Sequence, residues 1–335
     1  MDMESFFLTL LQKSGITQEL GDDCVRLRCL HTSKKTKESP YIIAMDSFIE
    51  DVHFRIQPSS LQTKNVFIQQ EKTLYQNDTL FRYVHSHHWL SYKNVAKKAF
   101  LVNISDILSS GAEPLYALLA ITLPRDSHKT MLIELVQGIQ EICKKYNIAL
   151  IGGDTTKGDK LGFHITLIGK LKSKYLHRNH LIKGDYLAYT SRRNANLGGS
   201  LKILKSLLRY GATINKIPYN CIESKNPYAR FCLPVTREKF IFQAYKYIHA
   251  CMDISDGLAT EITRLEKLNN LQFYAFKKLK DSVYQSGEEY ELLISFSQKN
   301  IPALKRIAHR SRIKLHIIGK FGRFQHKKLK MIAWH

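Results

Sequence analysis

Seven aspartates in this chain stand where an apolar segment gives way to a turn or a helix: Asp22, Asp23, Asp46, Asp106, Asp154, Asp253 and Asp256. A carboxylate beside a buried run is costly unless a cation or hydrogen-bond donors compensate it. The chain carries 51 Lys and Arg against 29 Asp and Glu, so acids that recur in such settings call for a cation. No His/Cys set at zinc spacing accompanies them. Oxygen donors alone point to magnesium, commonly held by one or two carboxylates together with substrate phosphates. The residues therefore suggest magnesium-dependent phosphate chemistry. Neither a GxxxxGK[ST] loop nor a kinase glycine loop with HRD or DFG occurs, so nucleotide binding needs another scaffold.

The richest of these sites is Leu150-Ile151-Gly152-Gly153-Asp154-Thr155. The apolar run Ile148 to Ile151 reads as a buried strand that ends on two glycines, which would let a ligand approach the backbone. A plain strand-to-loop turn fits the same hexapeptide. Asn103 and Asp106 lie one helical turn apart and can point to one place. Asp253 and Asp256 flank a strand-to-helix junction, where N-capping is the competing explanation. His53 fits a structural hydrogen-bonder as well as a ligand contact. The glycines of Leu197-Gly198-Gly199-Ser200 fit phosphate binding at a helix start or close helix packing.

These residues need strands and helices in alternation to position them. Alternating or apolar runs predict strands at Val25 to Cys29, Tyr41 to Met45, Leu115 to Leu123, His164 to Ile168, Tyr186 to Thr190 and Leu315 to Ile318. Helical spacing marks residues 4–13, Tyr92 to Ser110, Met131 to Tyr146, Ile241 to Ile248 and Ala259 to Leu268. Ser286 to Glu291 is acidic and enters a further strand, with an exposed edge as its simplest reading. Both halves place acids at strand ends, which predicts two related α/β units, 1–171 and 172–335. Residues 57–92, polar and aromatic with His85, His87 and His88, read as an insertion.

At 335 residues the chain is long enough for two domains. No run of about eighteen apolar residues occurs, so no membrane span is expected. The acidic start and the absence of a signal pattern make the cytoplasm the expected location. Six scattered cysteines with no CxxC pair suggest reduced, structural thiols. The net charge of +22 is compatible with nucleic acid, an acidic membrane surface or a phosphorylated substrate. The basic residues are dispersed without a nucleic-acid motif, so a generally basic surface explains them and no nucleic-acid partner is expected.

Taken in order, the motifs resemble the thiamine-monophosphate kinase family, within the superfamily of aminoimidazole ribonucleotide synthetase and selenophosphate synthetase. They are Gly21-Asp22-Asp23, Met45-Asp46 with His53-Phe54, Asn103-Ile104-Ser105-Asp106, Gly152-Gly153-Asp154-Thr155, Arg178 before Gly184-Asp185, Asp253 to Leu258, and Gly287-Glu288-Glu289-Tyr290-Glu291-Leu292. The reactive Cys motif of selenophosphate synthetases is missing, and the chain ends in Trp334-His335, not in the Cys of the hydrogenase-maturation relatives. The resemblance implies two mixed α/β domains, the first contributing strands to a barrel across a homodimer. It implies ATP as co-substrate, thiamine monophosphate as acceptor and several Mg²⁺ ions. Residue by residue, it makes Asp23, Asp46, Asp106, Asp154, Asp253 and Asp256 metal ligands. Gly153, Asp154, Arg178 and Ser255 would contact ATP, and His53, Glu288 and Trp334 the acceptor. Three departures stand out: Ala44-Met45 where the family has side-chain oxygens, Glu289 in place of Asp, and the long stretch between His53 and Asn103.

Overall fold

The structure is a computed structural model, and it describes residue 13, residues 24–26, 39–54, 91–172, 174–193, 196–198, 200, 231 and 233–323. All but the last residue of the expected helix at 4–13, nearly all of the insertion at 57–92, Asp22, Asp23 and Trp334 lie outside the described residues.

The first sheet is ordered β1-β2-β5-β3-β4. Its strands are β1 (Val25–Arg26), β2 (Tyr41–Ile49), β3 (Ala112–Pro124), β4 (Ala149–Gly158) and β5 (Gly162–Leu171). All pairs are antiparallel except β3 with β4, which is parallel. In β2 the even positions Ile42, Ala44 and Phe48 are buried while Tyr41 and Met45 are exposed, the period-2 signature of a sheet with one covered face. Helix α1 (Tyr92–Ser109) supplies that cover, and helix α2 (Lys129–Tyr146) packs on α1. Each begins with a side chain capping the first turn: the Ser91 hydroxyl accepts from Asn94 N at 3.3 Å, and His128 Nδ1 accepts from Met131 N at 3.2 Å. Asn147 ends α2 in the left-handed region, φ 54°.

The second sheet is ordered β7-β9-β6-β10-β8, with β6 (Tyr186–Arg192), β7 (Cys251–Asp253), β8 (Gln272–Ala275), β9 (Leu292–Phe296) and β10 (Ile313–Gly322), every pair antiparallel. Helix α3 (Glu238–Ala244) and the last helix, Ile301–Arg310, pack on one face through Phe240, Ile241, Leu304 and Ile307. Helix α4 (Leu258–Asn269) packs on the other through Leu258, Ile262 and Leu265. Strand β9 is buried at every residue, so the exposed edge expected after Glu291 gives way to a central strand.

The expected buried strand at 148–151 is corrected. β4 is the edge of the first sheet and runs exposed through Gly152-Gly153-Asp154-Thr155. Leu150 is 48% and Ile151 56% exposed. An apolar run shows that a strand needs cover; it does not show that its own chain supplies the cover. Gly153 has its own local reason: at φ 154°, a Cβ there would sit 1.8 Å from the Leu119 carbonyl oxygen of β3. Sheet packing accounts for that glycine without a ligand.

Candidate active site

The site forms where α1 of the first unit meets β7 and the turn after it in the second. Helix α1 is buried along much of its length, Asn103, Ser105 and Asp106 included. Ser105 Oγ donates to Asp253 Oδ2 at 2.5 Å, joining residues 148 apart in sequence. Two motif loops clasp each other beside this contact. Glu288 N donates to the Ser255 carbonyl at 2.7 Å, Tyr290 N to that of Ile254 at 2.9 Å, and Ile254 N to that of Glu291 at 2.9 Å. Gly287 is needed for the approach, since a Cβ there would lie 3.0 Å from the Ser255 carbonyl oxygen. Glu288 (φ 56°) and Tyr290 (φ 51°) are both left-handed, a cost borne by non-glycine residues chiefly where a site demands it.

The electrostatics are dominated by desolvated acids. Burial raises Asp106 well above the ordinary carboxylate range, and the neighbouring charges of Asp253 and Asp46 add to it. Asp46 is raised by burial too, but lowered by its hydrogen bond with Asp106. The two carboxylates titrate as a coupled pair, with burial and their mutual repulsion opposing ionisation of both. Asp253 is pushed up to about 7 by burial, against the opposing Ser105 hydrogen bond. Glu261, fully buried on α4, is likewise raised by burial and moderated by Arg264.

Of the sequence-predicted ligands, Asp46, Asp106 and Asp253 come together, and Asp256 acts on Asp46 through its charge. Asp256 itself is exposed and paired to Arg264. Asp154 is not brought in. It lies in the cross-sheet row Ser47–His164–Ala120–Asp154, on the outward face, whereas Asp46 shares the inward row of Ile165 and Leu119. Arg178 is buried and favours the charged forms of Asp253 and Glu261. Ser255 is half-buried, with its hydroxyl 3.5 Å from Glu261 Oε1. His53 Nδ1 accepts from Ile49 N at 3.0 Å, so the neutral ring carries its proton on Nε2. His53 is a structural hydrogen-bonder that still has a donor to offer.

Among the described residues no three His, Cys, Asp or Glu side chains are gathered closely enough to hold a metal ion. Their chemistry nonetheless fits a hard divalent cation that arrives with other oxygens. Carboxylates this desolvated favour protonation until a cation replaces the proton, and magnesium takes one or two carboxylates beside substrate phosphates. Asn103 fits the helix more than a shared site: its Nδ2 donates to the Ala99 carbonyl at 3.0 Å, and its buried Oδ1 has no hydrogen-bond partner among the described residues.

Two family departures acquire reasons. Glu289, 1% exposed, accepts the Gly198 N–H at 2.8 Å. An acidic side chain of the protein itself therefore occupies the glycine amide that phosphate binding would use. Met45, 63% exposed, belongs to the outward face of β2, and Ala44 to the core.

Sequence reasoning missed Lys98 and Glu261, and gave Ser105, though part of a quoted motif, no role of its own. Lys98 is three residues after Val95 and four before Val102; Glu261 is three after Leu258. A charge on an apolar helical stripe was the available signal.

Residues 63–171 match the family model described as AIR synthase related protein, N-terminal domain. The Leptospira interrogans thiamine-monophosphate kinase is 30% identical over 251 residues, covering 70% of this chain and 78% of that protein. The Buchnera aphidicola (Acyrthosiphon pisum) thiamine-monophosphate kinase is 29% identical over 261 residues, 72% and 77% of the two chains. Among solved structures, AaThiL complexed with AMPPCP and TMP superimposes with a TM-score of 0.67 at 19% identity, covering 97% of this chain and 94% of that one. The Aquifex aeolicus thiamine monophosphate kinase gives 0.67 at 20% identity, covering 96% of each. The mixed α/β fold is that of these structures.

Proposed function

The chain belongs to the thiamine-monophosphate kinase family, and we propose that it transfers the γ-phosphoryl of ATP to thiamine monophosphate, giving thiamine diphosphate and ADP. The observation that carries this reading is the set of acids, half-buried Asp46 with buried Asp106 and Asp253, drawn together from both units at the α1–β7 contact. Support also comes from the likeness to a fold seen with AMPPCP and TMP.

The acceptor is a phosphate oxygen whose second pKa is about 6, so it is largely ionised at neutral pH. No general base is required. One P–O bond forms from that oxygen to the γ-phosphorus while the β–γ bridge breaks and ADP leaves. The obstacle is mutual repulsion of two polyanions, so catalysis is positioning and charge neutralisation. Asp46, Asp106 and Asp253, with Asp23 and Asp256 by resemblance, would hold Mg²⁺, which supplies positive charge to the phosphate oxygens; the resemblance gives Asp154 the same role, but on the outward face, apart from this set. Arg178 adds a fixed cation, and Ser255 and the Gly153 backbone meet the nucleotide. Glu288, His53 and Trp334 meet the acceptor.

We further propose a homodimer built on the outward face of the first sheet. Met45, Tyr116, Leu118, Leu150 and Ile151 are exposed there or along its β4 edge, an apolar area of the kind that marks association. Asp154 shares that face and would be enclosed with it. We take 1–171 and 172–335 as the two domains, around one sheet each. No described helix is long and apolar enough to cross a membrane, and we propose the cytoplasm as the location.

The test is chromatographic detection of thiamine diphosphate from thiamine monophosphate, ATP and Mg²⁺. Product is expected with the wild type and its near loss with Asp253→Asn. ATP consumption that requires another acceptor, or a trapped phosphorylated enzyme, would overturn the reading.

A further inference from the structure

Lys98 is 4% exposed, and its ammonium lies 2.9 Å from Glu288 Oε2. It also lies 3.9 Å from the centroid of the Phe231 ring and 5.6 Å from that of Phe48. Phe48 stacks in turn on His53, with centroids 5.4 Å apart. The Tyr290 hydroxyl donates to Glu288 Oε1 at 3.1 Å. Burial raises Tyr290 well above its ordinary value, with Glu288 adding to it, so that donor keeps its proton. Both oxygens of Glu288 are therefore fixed by the protein, one by each donor, on a backbone held in the left-handed region.

A buried lysine is expensive, and a surface serves an ordinary helix better. What the pair achieves is geometric. Lys98 and Ser105 are seven residues apart on α1, two turns of one rigid helix and about 10 Å. Ser105 reaches Asp253 at the acid cluster, and Lys98 reaches Glu288 on the clasping loop. One helix of the first unit thus sets the distance between two points on the second.

We propose that Lys98 is a positioning residue for the acceptor, acting through Glu288 to fix where thiamine monophosphate sits relative to the acid cluster. The proposal rests on the reading above, in which Glu288 meets the acceptor and the acid cluster meets the nucleotide. An ammonium paired to one oxygen and a phenol to the other hold the Glu288 carboxylate in a single orientation. Without Lys98 the carboxylate would be left buried without its charge partner and would turn away.

The experiment is steady-state kinetics on Lys98→Met, with each substrate varied in turn. The KM for thiamine monophosphate should rise about 30-fold, the usual scale for truncating one partner of a buried charge pair. The KM for ATP should stay within about twofold. The double variant Lys98→Met/Glu288→Gln should be no worse than Glu288→Gln alone, because Lys98 acts through Glu288. It also removes both charges, so it keeps the test open should Lys98→Met fold poorly. Tyr290→Phe keeps the ion pair and should raise the same KM only a few-fold. Equal changes in both KM values, or additive effects of the Lys98 and Glu288 substitutions, would show a merely structural role and overturn the proposal. A wild-type enzyme that makes no thiamine diphosphate would overturn the underlying reading and the proposal with it. Product formation with unchanged KM in Lys98→Met would overturn the proposal alone.

Discussion

Asp253 and Asp154 follow the same pattern in sequence, an apolar strand and then a carboxylate, yet the fold treats them oppositely. Asp253 is 1% exposed beside Ser105, Asp46 and Asp106, and its proton affinity is raised to about 7. Asp154 stands in the open on an edge strand and accepts from its own neighbour, Thr155 N, at 2.8 Å. Desolvation is the difference: it makes a carboxylate demand a cation or a proton, while water satisfies the exposed one at no cost. The buried set is therefore ready for a cation within one chain. The exposed acid has no such demand until something covers its face.

The largest effect that sharpens this contrast is on turnover. Asp253→Asn should lower kcat by on the order of 10²–10³-fold, the scale for losing one preorganised electrostatic partner. The same change should raise the melting temperature of the ligand-free protein, since it removes a charge that is buried without its cation. A variant as active as the wild type would break the comparison at its root.

The next effect is in pH. The folded-state proton affinity of Asp253 is raised from 3.8 to about 7, so between these values the native state binds more protons than the unfolded chain. Stability of the ligand-free protein is therefore greatest at the acid end of that window and falls as pH rises through it. Urea midpoints measured from pH 5 to 8 should show the decline. Saturating Mg²⁺ and nucleotide should flatten it by replacing the proton.

A smaller effect concerns the outward face. Met45→Glu or Leu118→Glu should raise the dimer dissociation constant at least tenfold, about 1.4 kcal/mol, as measured by sedimentation. An unchanged dimer would move the interface elsewhere. Smallest of all is the effect of Asp154→Asn on the ligand-free protein. Its unfolding free energy from urea titration should change by no more than about 0.5 kcal/mol, as for other exposed substitutions. A larger loss would show that Asp154 is bound within the single chain.

Much of this was legible from residue order. The amphipathic run from Met131 to Tyr146 became α2, and Asp253 to Leu258 became a strand end, a turn and a helix start. The motif after Gly287 was legible as chemistry but not as packing: Glu288, Glu289 and Glu291 looked like an exposed acidic edge and are buried. Each has its own partner, Lys98, Gly198 and Arg237, supplied from 54 to 190 residues away. Local patterning carries no information about partners at that separation. Lys98 was overlooked for the same reason, because a lysine inside a helix ordinarily faces water.

The sequence by itself determined which residue types could do chemistry, their order, and the alternation of strands and helices that carries them. Those properties are local, set by backbone periodicity and by the cost of burying charge. Only the tertiary structure decided which acids lost their water, because solvent exposure depends on what packs across a contact and not on neighbours in the chain. That is why Asp46, Asp106 and Asp253 became one electrostatic unit while Asp154, in the most suggestive motif of all, was left on an open face.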